Sequence, residues 1–201
     1  MHQGISDLQA SKQILRMAEA RNNYLGTLDG TTRFLWTYAT QPSDVTNLFQ
    51  GTSVSFMAIW NMNQYTVSNL KTVNDKLFAL TSSLDESQRE NLFKRDIRIF
   101  DANSTTSLST YINLTNFQAT DSLIEASLKS DSLAPTNLQS AVSSLRFVLR
   151  NVLNDMLVKN TRISQSFSDS LQDKKSYFEG WITLCFSTSL TFLLMILIGF
   201  P

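Results

Sequence analysis

Few residues in this chain have side chains suited to catalysis, and those few do not form a catalytic set. The only histidine is His2, and the only cysteine is Cys185, which lies within a long apolar stretch. A Ser-His-Asp triad or a Cys-His pair therefore cannot be assembled, and a zinc site would have to use carboxylates alone. The single cysteine also excludes a disulfide within the chain.

Carboxylates are the remaining candidates for chemistry. Asp96 with Asp101, and Asp169 with Asp173, have spacings that bring two carboxylates near one another on a helix. Alternating surface charge produces such pairs routinely. Neither pair is accompanied by a nucleophile, a phosphate-binding glycine loop or a metal-ligand pattern. We therefore expect no enzymatic activity and no cofactor or metal.

Two asparagines lie in acceptor sequences for N-glycosylation. Asn103 begins the triplet NST and Asn113 begins NLT. Such triplets are modified when they enter the secretory lumen. Asn103 and Asn113 are therefore the candidate modification sites.

The composition favours long helices and does not favour a nucleic-acid partner. The 201 residues include 17 Lys and Arg and 17 Asp and Glu, so no net charge attracts a polyanion. Only six glycines and three prolines are present, too few for the frequent turns of a sandwich or barrel.

The C-terminal stretch GWITLCFSTSLTFLLMILIGFP has the composition of a membrane span. From Trp181 to Phe200 it contains no charged residue, histidine, asparagine or glutamine. About 20 helical residues, at 1.5 Å each, cross the roughly 30 Å hydrocarbon core of a bilayer. The sequence therefore predicts a polar helical domain over 1–178 and a transmembrane helix over 179–201. The lipid bilayer is the first predicted partner, and a second copy or other spans of the same protein are further candidates.

The polar domain predicts an all-α fold: an antiparallel bundle of about four long helices, the last continuing into the transmembrane helix. The first helix is expected over Ile5 to Thr40 and is ended by Pro42. Gly26 and Gly30 in its middle predict a kink or, preferably, the close approach of another helix. The second helix is expected over 44–83. Its methionine- and aromatic-rich stretch SFMAIWNMNQY is interpreted as core in preference to a ligand pocket.

A charged run follows the second helix. Ser83 or Asp85 is predicted to cap a further helix, with acidic residues first and basic residues, as far as Arg98, near its end. A third long helix is expected over Ser104 to Lys129. Its predicted inner face is Leu108, Ile112, Ala119, Leu123 and Ala126.

The last helix of the polar domain follows Pro135 and carries the clearest amphipathic pattern. Its predicted apolar face is Leu138, Val142, Leu145, Leu149, Val152 and Met156. Its predicted polar face is Asn151, Asn154, Asp155 and Lys159. Neither glycine nor proline occurs between Thr136 and Glu179, so the pattern predicts one continuous rod that enters the membrane.

The residues give conflicting signals about the side of the membrane on which the polar domain lies. The acceptor asparagines favour the extracytosolic side. Lys174 and Lys175, close before the span, favour the cytosolic side by the positive-inside rule.

The stretch FVLRNVLNDMLVKNTRISQSFSDSLQDKKSYFEGWITLCFSTSLTFLLMILIGFP resembles a segment of a known family. From about Leu145 to Pro201 the chain is similar to the region before and into a span of the large multi-span proteins of protists akin to tiny macrocysts protein B. Many members of that family carry PAS sensor domains. The resemblance implies that the chain is a piece of a longer protein, and that its polar domain is an extracytosolic loop between two spans.

Two functional hypotheses follow from these observations. The first is a helical sensor or structural module of a multi-span membrane protein, which passes changes in its bundle to the membrane helix. The second is a cytosolic tail-anchored protein of the membrane-fusion type, with a coiled coil directly before the anchor. Its heptads should run unbroken to the membrane. The heptad pattern weakens after Met156, where its only apolar residues are Ile163, Phe167 and Leu171.

Overall fold

The computed structural model describes residues 2–41, 55–100, 111–133 and 137–199, and within these ranges the fold is all-α apart from one small hairpin. The helices are α1 (His2–Thr40), α2 (Phe56–Ala79), α3 (Glu86–Phe93), α4 (Asn116–Leu133), α5 (Leu138–Asn151) and α6 (Leu157–Gly199). A 3-10 turn (Leu80–Ser83) follows α2, and a π-helical segment (Val152–Met156) joins α5 to α6. Strands β1 (Ile97–Phe100) and β2 (Tyr111–Leu114) form the hairpin.

Helix α1 lies at the centre of the bundle, where it packs against α2, α5 and α6, while α4 packs against α2 and α5. Neighbouring helices run antiparallel. Arg21 contacts Asn74 and Thr31 contacts Asn63, so α1 and α2 pass in opposite directions. The predicted antiparallel bundle of long helices is therefore confirmed.

Apolar clusters fill the core along the whole length of the bundle. Its central cluster joins α1, α2, the hairpin, α4 and the α5–α6 junction, and includes Leu25, Leu28, Leu70, Ile97, Leu123, Val148 and Met156. A second cluster, around Ile14, Leu77 and Phe167, lies nearer to the C-terminal span. The third, around Leu35, Trp60 and Leu145, closes the opposite end. Burial of these side chains, at about 25 cal/mol per Å² of apolar surface, is the main force that assembles the helices.

The predicted cap at Asp85 is confirmed, but the helix that follows it is shorter than expected. The Asp85 carboxylate accepts a hydrogen bond from the Gln88 backbone N–H at 2.8 Å. Helix α3 then ends at Phe93, and Arg98 lies in strand β1. The prediction of a helix continuing to the basic residues was wrong because the sequence IRIF alternates between core and surface in an extended conformation, with Ile97 and Ile99 buried.

The predicted third long helix begins later than expected. Its first part is outside the described residues, which include neither Asn103 nor Leu108, and strand β2 occupies Tyr111–Leu114. Ile112 is exposed on that strand, which corrects its assignment to the inner face. Ala119 and Leu123 are buried on α4 as predicted, and Ala126 is partly buried beside them.

The last helix of the polar domain is not one continuous rod. The helix breaks at the π segment, where Asn154 has φ −75° and ψ −134°. From Leu157 to Gly199 it is unbroken, as predicted for the approach to the membrane. Of the expected polar face, Asn151 is fully buried, because a strand from another part of the chain covers it.

The glycine prediction was also wrong. Helix α1 is continuous through Gly26 and Gly30. Among the described residues, a Cβ atom added at either position would have no neighbour within 4 Å, so none of the described helices approaches closely there. Gly4 is the glycine that lies beside another helix, since its Cβ would lie 3.6 Å from Cε2 of Phe178.

The second helix was expected from residue 44, and the predicted stretch before Ser55 lies outside the described residues. Pro42 and Ser43 are outside them, and α2 begins at Phe56 with Ser55 as its cap. Of the methionine- and aromatic-rich stretch, Trp60 is buried in the core as predicted. Phe56 and Ile59 are partly buried against the same cluster, whereas Met57, Met62 and Tyr65 are exposed.

Within the described residues, one helical stretch, Leu138–Gly199, is long and apolar enough to cross a membrane. Its apolar window is not buried against any part of the bundle. Trp181 lies at the start of that window and is half-exposed. Phe200 lies outside the described residues.

Candidate functional site

The candidate site is the place where strand β1 docks on the break between α5 and α6, which we call the hairpin–break junction. Three residues of the helical stretch, Asn151, Asp155 and Lys159, contact three positions of the preceding strand segment, Phe100, Arg98 and Asp96. The helix positions are separated by four residues, about 6 Å, and the strand positions by two residues, about 7 Å. The two elements therefore remain in register over three successive contacts.

The first contact of the junction is the best satisfied. The backbone N–H of Phe100 donates to the Asn151 side-chain carbonyl at 2.8 Å, and the Asn151 amide donates back to the Phe100 carbonyl at 3.2 Å. The same amide also donates to the Phe147 carbonyl at 2.9 Å. The fully buried Asn151 thus pairs with β1 as a neighbouring strand would, and satisfies both backbone groups of Phe100.

The second and third contacts are charged. Asp155 accepts from the backbone N–H of Arg98 at 3.3 Å, and its carboxylate lies 3.4 Å from the Arg98 guanidinium Nε. Lys159 pairs with Asp96, and both side chains are largely buried. The Asp155 contacts therefore hold the π-helical segment to the hairpin, the Lys159 pair holds the first turn of α6, and the Asn151 contacts hold the last turn of α5.

The helix break lies within the junction. π-helical turns arise where an extra residue is accommodated in a helix, and they occur frequently at functional sites. Val152 and Met156 from this segment are fully buried in the central core cluster. The break is therefore in contact with the central core cluster on one face and with the hairpin on another.

Two sets of hydrogen-bonded polar side chains, which we call the polar chains, also cross the core. The first lies nearer to the C-terminal span than the second. In the first, Arg21 Nη1 donates to Asn74 Oδ1 at 3.2 Å, and Asn74 Nδ2 donates to Asp121 Oδ1 at 2.9 Å. The ring of Phe117 lies 5.6 Å from the Arg21 guanidinium carbon. Among the described residues, Nε and Nη2 of Arg21 have no hydrogen-bond partner. Burial lowers the pKa of Arg21 to about 9, against the opposing charge of Asp121.

The second polar chain joins Thr31, Asn63 and Asp131. The Thr31 hydroxyl donates to Asn63 Oδ1 at 2.7 Å, and Asn63 Nδ2 donates to Asp131 Oδ1 at 3.4 Å. Burial raises the pKa of Asp131 to about 6, although the hydrogen bond from Asn63 acts in the opposite direction.

The residues singled out from the sequence lie apart from one another. Asn113 is exposed on β2, where it is the cross-strand partner of Arg98 in the hairpin. Asn103 is outside the described residues. Asp96 belongs to the junction, where it pairs with Lys159, while its proposed partner Asp101 is outside the described residues. Cys185 is exposed on the apolar part of α6.

The junction itself could not have been assigned from the sequence patterns used above. The spacing of Asn151 from the apolar residues puts it on the polar side of the helix, so helical periodicity predicts a solvated side chain there. The available signal was the alternation in IRIF and YINL, two short runs rich in β-branched and aromatic residues on either side of a polar stretch.

No family model, curated protein or solved structure matches this chain. In the part of the chain that the structure describes, no group of three or more His, Cys, Asp or Glu side chains is placed to hold a metal ion.

Proposed function

We propose that this chain is a membrane-anchored helical module, part of a larger multi-span protein, that passes changes in its bundle to the C-terminal membrane helix. The observation that carries the proposal is the hairpin–break junction at the head of α6. That helix then runs without interruption for 43 residues, so a change in its direction at Leu157 is carried to the apolar end.

The junction suggests how a change would be transmitted. While the hairpin holds both Asn151 and Asp155, the angle between α5 and α6 is fixed. If a ligand or partner pulled the hairpin away, the break would become a hinge, and the α6 helix would tilt about it. A helix bends most readily where its ladder of backbone hydrogen bonds is already interrupted.

The arrangement of α1 supports a position between two spans. The helix begins beside Phe178, directly before the apolar stretch, and runs away from it. A segment placed before α1 would therefore leave the bundle at the end where α6 leaves it. This agrees with the loop between two spans that the resemblance to the tiny macrocysts protein B family implies.

The lone cysteine provides a probe for transmission. A nitroxide attached to Cys185 in reconstituted vesicles reports the depth of the span through its accessibility to oxygen and to a water-soluble nickel chelate. We expect Asp155→Ala, which removes the second contact of the junction, to change that ratio of accessibilities. The matched control is Asp169→Ala, since Asp169 is an exposed aspartate of the same helix that does not contact the hairpin. An unchanged ratio in Asp155→Ala, with the bundle still folded by circular dichroism, would contradict transmission through the junction.

The side of the membrane is tested separately. In microsomes, with the natural upstream sequence restored, we expect a glycosidase-sensitive shift in mobility that Asn103→Gln together with Asn113→Gln abolishes. If no shift occurs and the bundle is open to protease from the cytosolic side, the extracytosolic assignment fails. The tail-anchored hypothesis would then be preferred, although the break at Val152–Met156 interrupts the unbroken heptads that it requires.

A further inference from the structure

Two clefts adjoin one another where the start of α1 meets α6. The first has a volume of about 700 Å³ and a mixed lining, whose polar side chains include Asp7, Asp85 and Lys174. The second has a volume of about 350 Å³ and an almost wholly apolar lining, which includes Trp181 and Cys185. Gly4 and Phe178 line both clefts, so the two form one continuous groove with a polar part and an apolar part.

The groove lies at the depth of the membrane boundary. Counting back from Gly199, about 20 residues are needed to cross the hydrocarbon core, which places the boundary near Gly180. Trp181 and Cys185 then lie just inside the hydrocarbon. Lys174 and Tyr177 lie within about 10 Å outside it, in the layer of lipid headgroups. Tyr177 and Trp181 are both exposed, as aromatic residues at a membrane interface usually are.

The polar part of the groove carries charges of both signs. The Lys174 ammonium donates to the Ser11 hydroxyl at 2.9 Å, which holds it across the space between α6 and α1. Asp85 uses one carboxylate oxygen to cap α3, and Asp7 is an exposed residue of α1 that lines the same cleft. One cleft therefore contains an ammonium, which can pair with a phosphate, and two carboxylates, which can pair with an amine.

The geometry points to a binding site for a phospholipid with a zwitterionic, primary-amine headgroup, with the headgroup in the polar cleft and the first part of an acyl chain in the apolar cleft. The phosphate would lie against Lys174 and the amine against Asp7 and Asp85. An anionic lipid without an amine meets the two carboxylates without compensation, so charge complementarity selects against it.

Quenching of Trp181 by brominated lipids tests this site in the intact chain. Bromine quenches only on contact. The other two tryptophans lie at the far end of the bundle, where Trp36 packs near Trp60 and is about 32 residues, roughly 48 Å, along α1 from Gly4. The chain is reconstituted in phosphatidylcholine vesicles with the same small fraction of either dibromo-phosphatidylethanolamine or dibromo-phosphatidylglycerol.

We expect the ethanolamine lipid to be enriched at Trp181 by about threefold over the glycerol lipid, the preference that a partly exposed charge pair provides. Asp7→Asn should bring the ratio close to one. Asp173→Asn, which changes an exposed aspartate that lines a different groove on α6, should leave it unchanged.

A second pair of variants tests the shape of the groove. Gly4→Leu places a side chain in the neck that joins the two clefts and should abolish the preference. Gly26→Leu makes the same change on the same helix at a position with no neighbour within 4 Å, and should retain it. Equal quenching by the two lipids in the wild-type chain would overturn the proposal. So would a preference that persists in both Asp7→Asn and Gly4→Leu, or a Trp181 that no brominated lipid quenches, because another protein segment would then cover the groove.

Discussion

Asn151 and Arg21 are both fully buried polar side chains, but their surroundings satisfy them to different degrees. Asn151 pairs with both backbone groups of Phe100 and with the Phe147 carbonyl, so each of its polar atoms has a partner. Arg21 makes one hydrogen bond, to Asn74, and its Nε and Nη2 have none among the described residues. A buried polar group stabilises a fold when it satisfies others, and otherwise retains much of its desolvation penalty. The difference indicates that the stability of the hairpin–break junction depends on Asn151, whereas the packing around Arg21 does not depend on its guanidinium.

The largest effect is expected for Asn151→Leu. The change leaves the N–H and carbonyl of Phe100 buried without partners, so we expect the free energy of unfolding to fall by about 3 kcal/mol. Urea unfolding in detergent micelles, followed by circular dichroism, measures it. The control is Asn23→Leu at an exposed position of α1, where we expect almost no change. A loss in Asn151→Leu no larger than in the control would show that the hairpin does not depend on this contact.

The next effect is a pH dependence of stability that is due to Asp131, whose carboxylate accepts a hydrogen bond from Asn63 in the second polar chain. Its pKa is raised from 3.8 to about 6, so the folded state binds more protons than the unfolded state between these values. The free energy of unfolding should therefore fall as the pH rises from 3.8 to 6, and remain lower above 6. Because the carboxylate is partly exposed, we expect a fall of about 1 kcal/mol.

Asp131→Asn should remove this part of the pH dependence, and Asp173→Asn, at an exposed position on α6, should leave it in place. The measurement is a series of urea unfolding curves across that pH range. A slope of the opposite sign would show that Asp131 is better satisfied when ionised.

A smaller gain is expected from Gly26→Ala. Gly26 lies on the exposed side of α1, opposite the side that buries Arg21 and Leu25. Because an added methyl group meets no neighbour, alanine should raise the free energy of unfolding by about 0.5–1 kcal/mol through helix propensity. Gly30→Ala should give a similar gain. A loss in both variants, measured by thermal unfolding, would place another element against this side, and the orientation of α1 that buries Arg21 would be wrong.

The glycines also illustrate how far the sequence predicts this fold. The long helices, the cap at Asp85 and the buried Leu123 follow from local patterns, because periodicity and capping depend on residues close in the chain. The hairpin–break junction does not, because Asn151 is buried by Phe100, a residue 51 positions away. Helical periodicity predicts a solvated position for Asn151, because it takes no account of distant strands. A glycine within a helix likewise does not indicate which element, if any, packs beside it.

The smallest effect is expected for Arg21→Met, and it provides the sharpest contrast with Asn151. Methionine fills a similar space, and its introduction removes one hydrogen bond to Asn74 and the contact with the Phe117 ring. It also removes the penalty of a buried guanidinium with two unpaired nitrogens. Because these contributions oppose each other, we expect the free energy of unfolding to change by less than about 1 kcal/mol.

Arg21→Met combined with Asn74→Leu should be at least as stable as Arg21→Met alone. Asn74 would otherwise retain an unpaired carbonyl oxygen in the core, and Asp121, which loses its hydrogen bond from Asn74, is exposed and can bind water instead. Arg21→Ala serves as the reference for lost volume and should be clearly destabilising, because it leaves a cavity beside Phe117. If Arg21→Met instead lowered the free energy of unfolding as much as Asn151→Leu, the guanidinium would have to be satisfied by a buried water that pairs with Nε and Nη2. The fold would then depend on Arg21 as much as on Asn151. Dependence on a buried polar side chain would no longer be a special property of the hairpin–break junction.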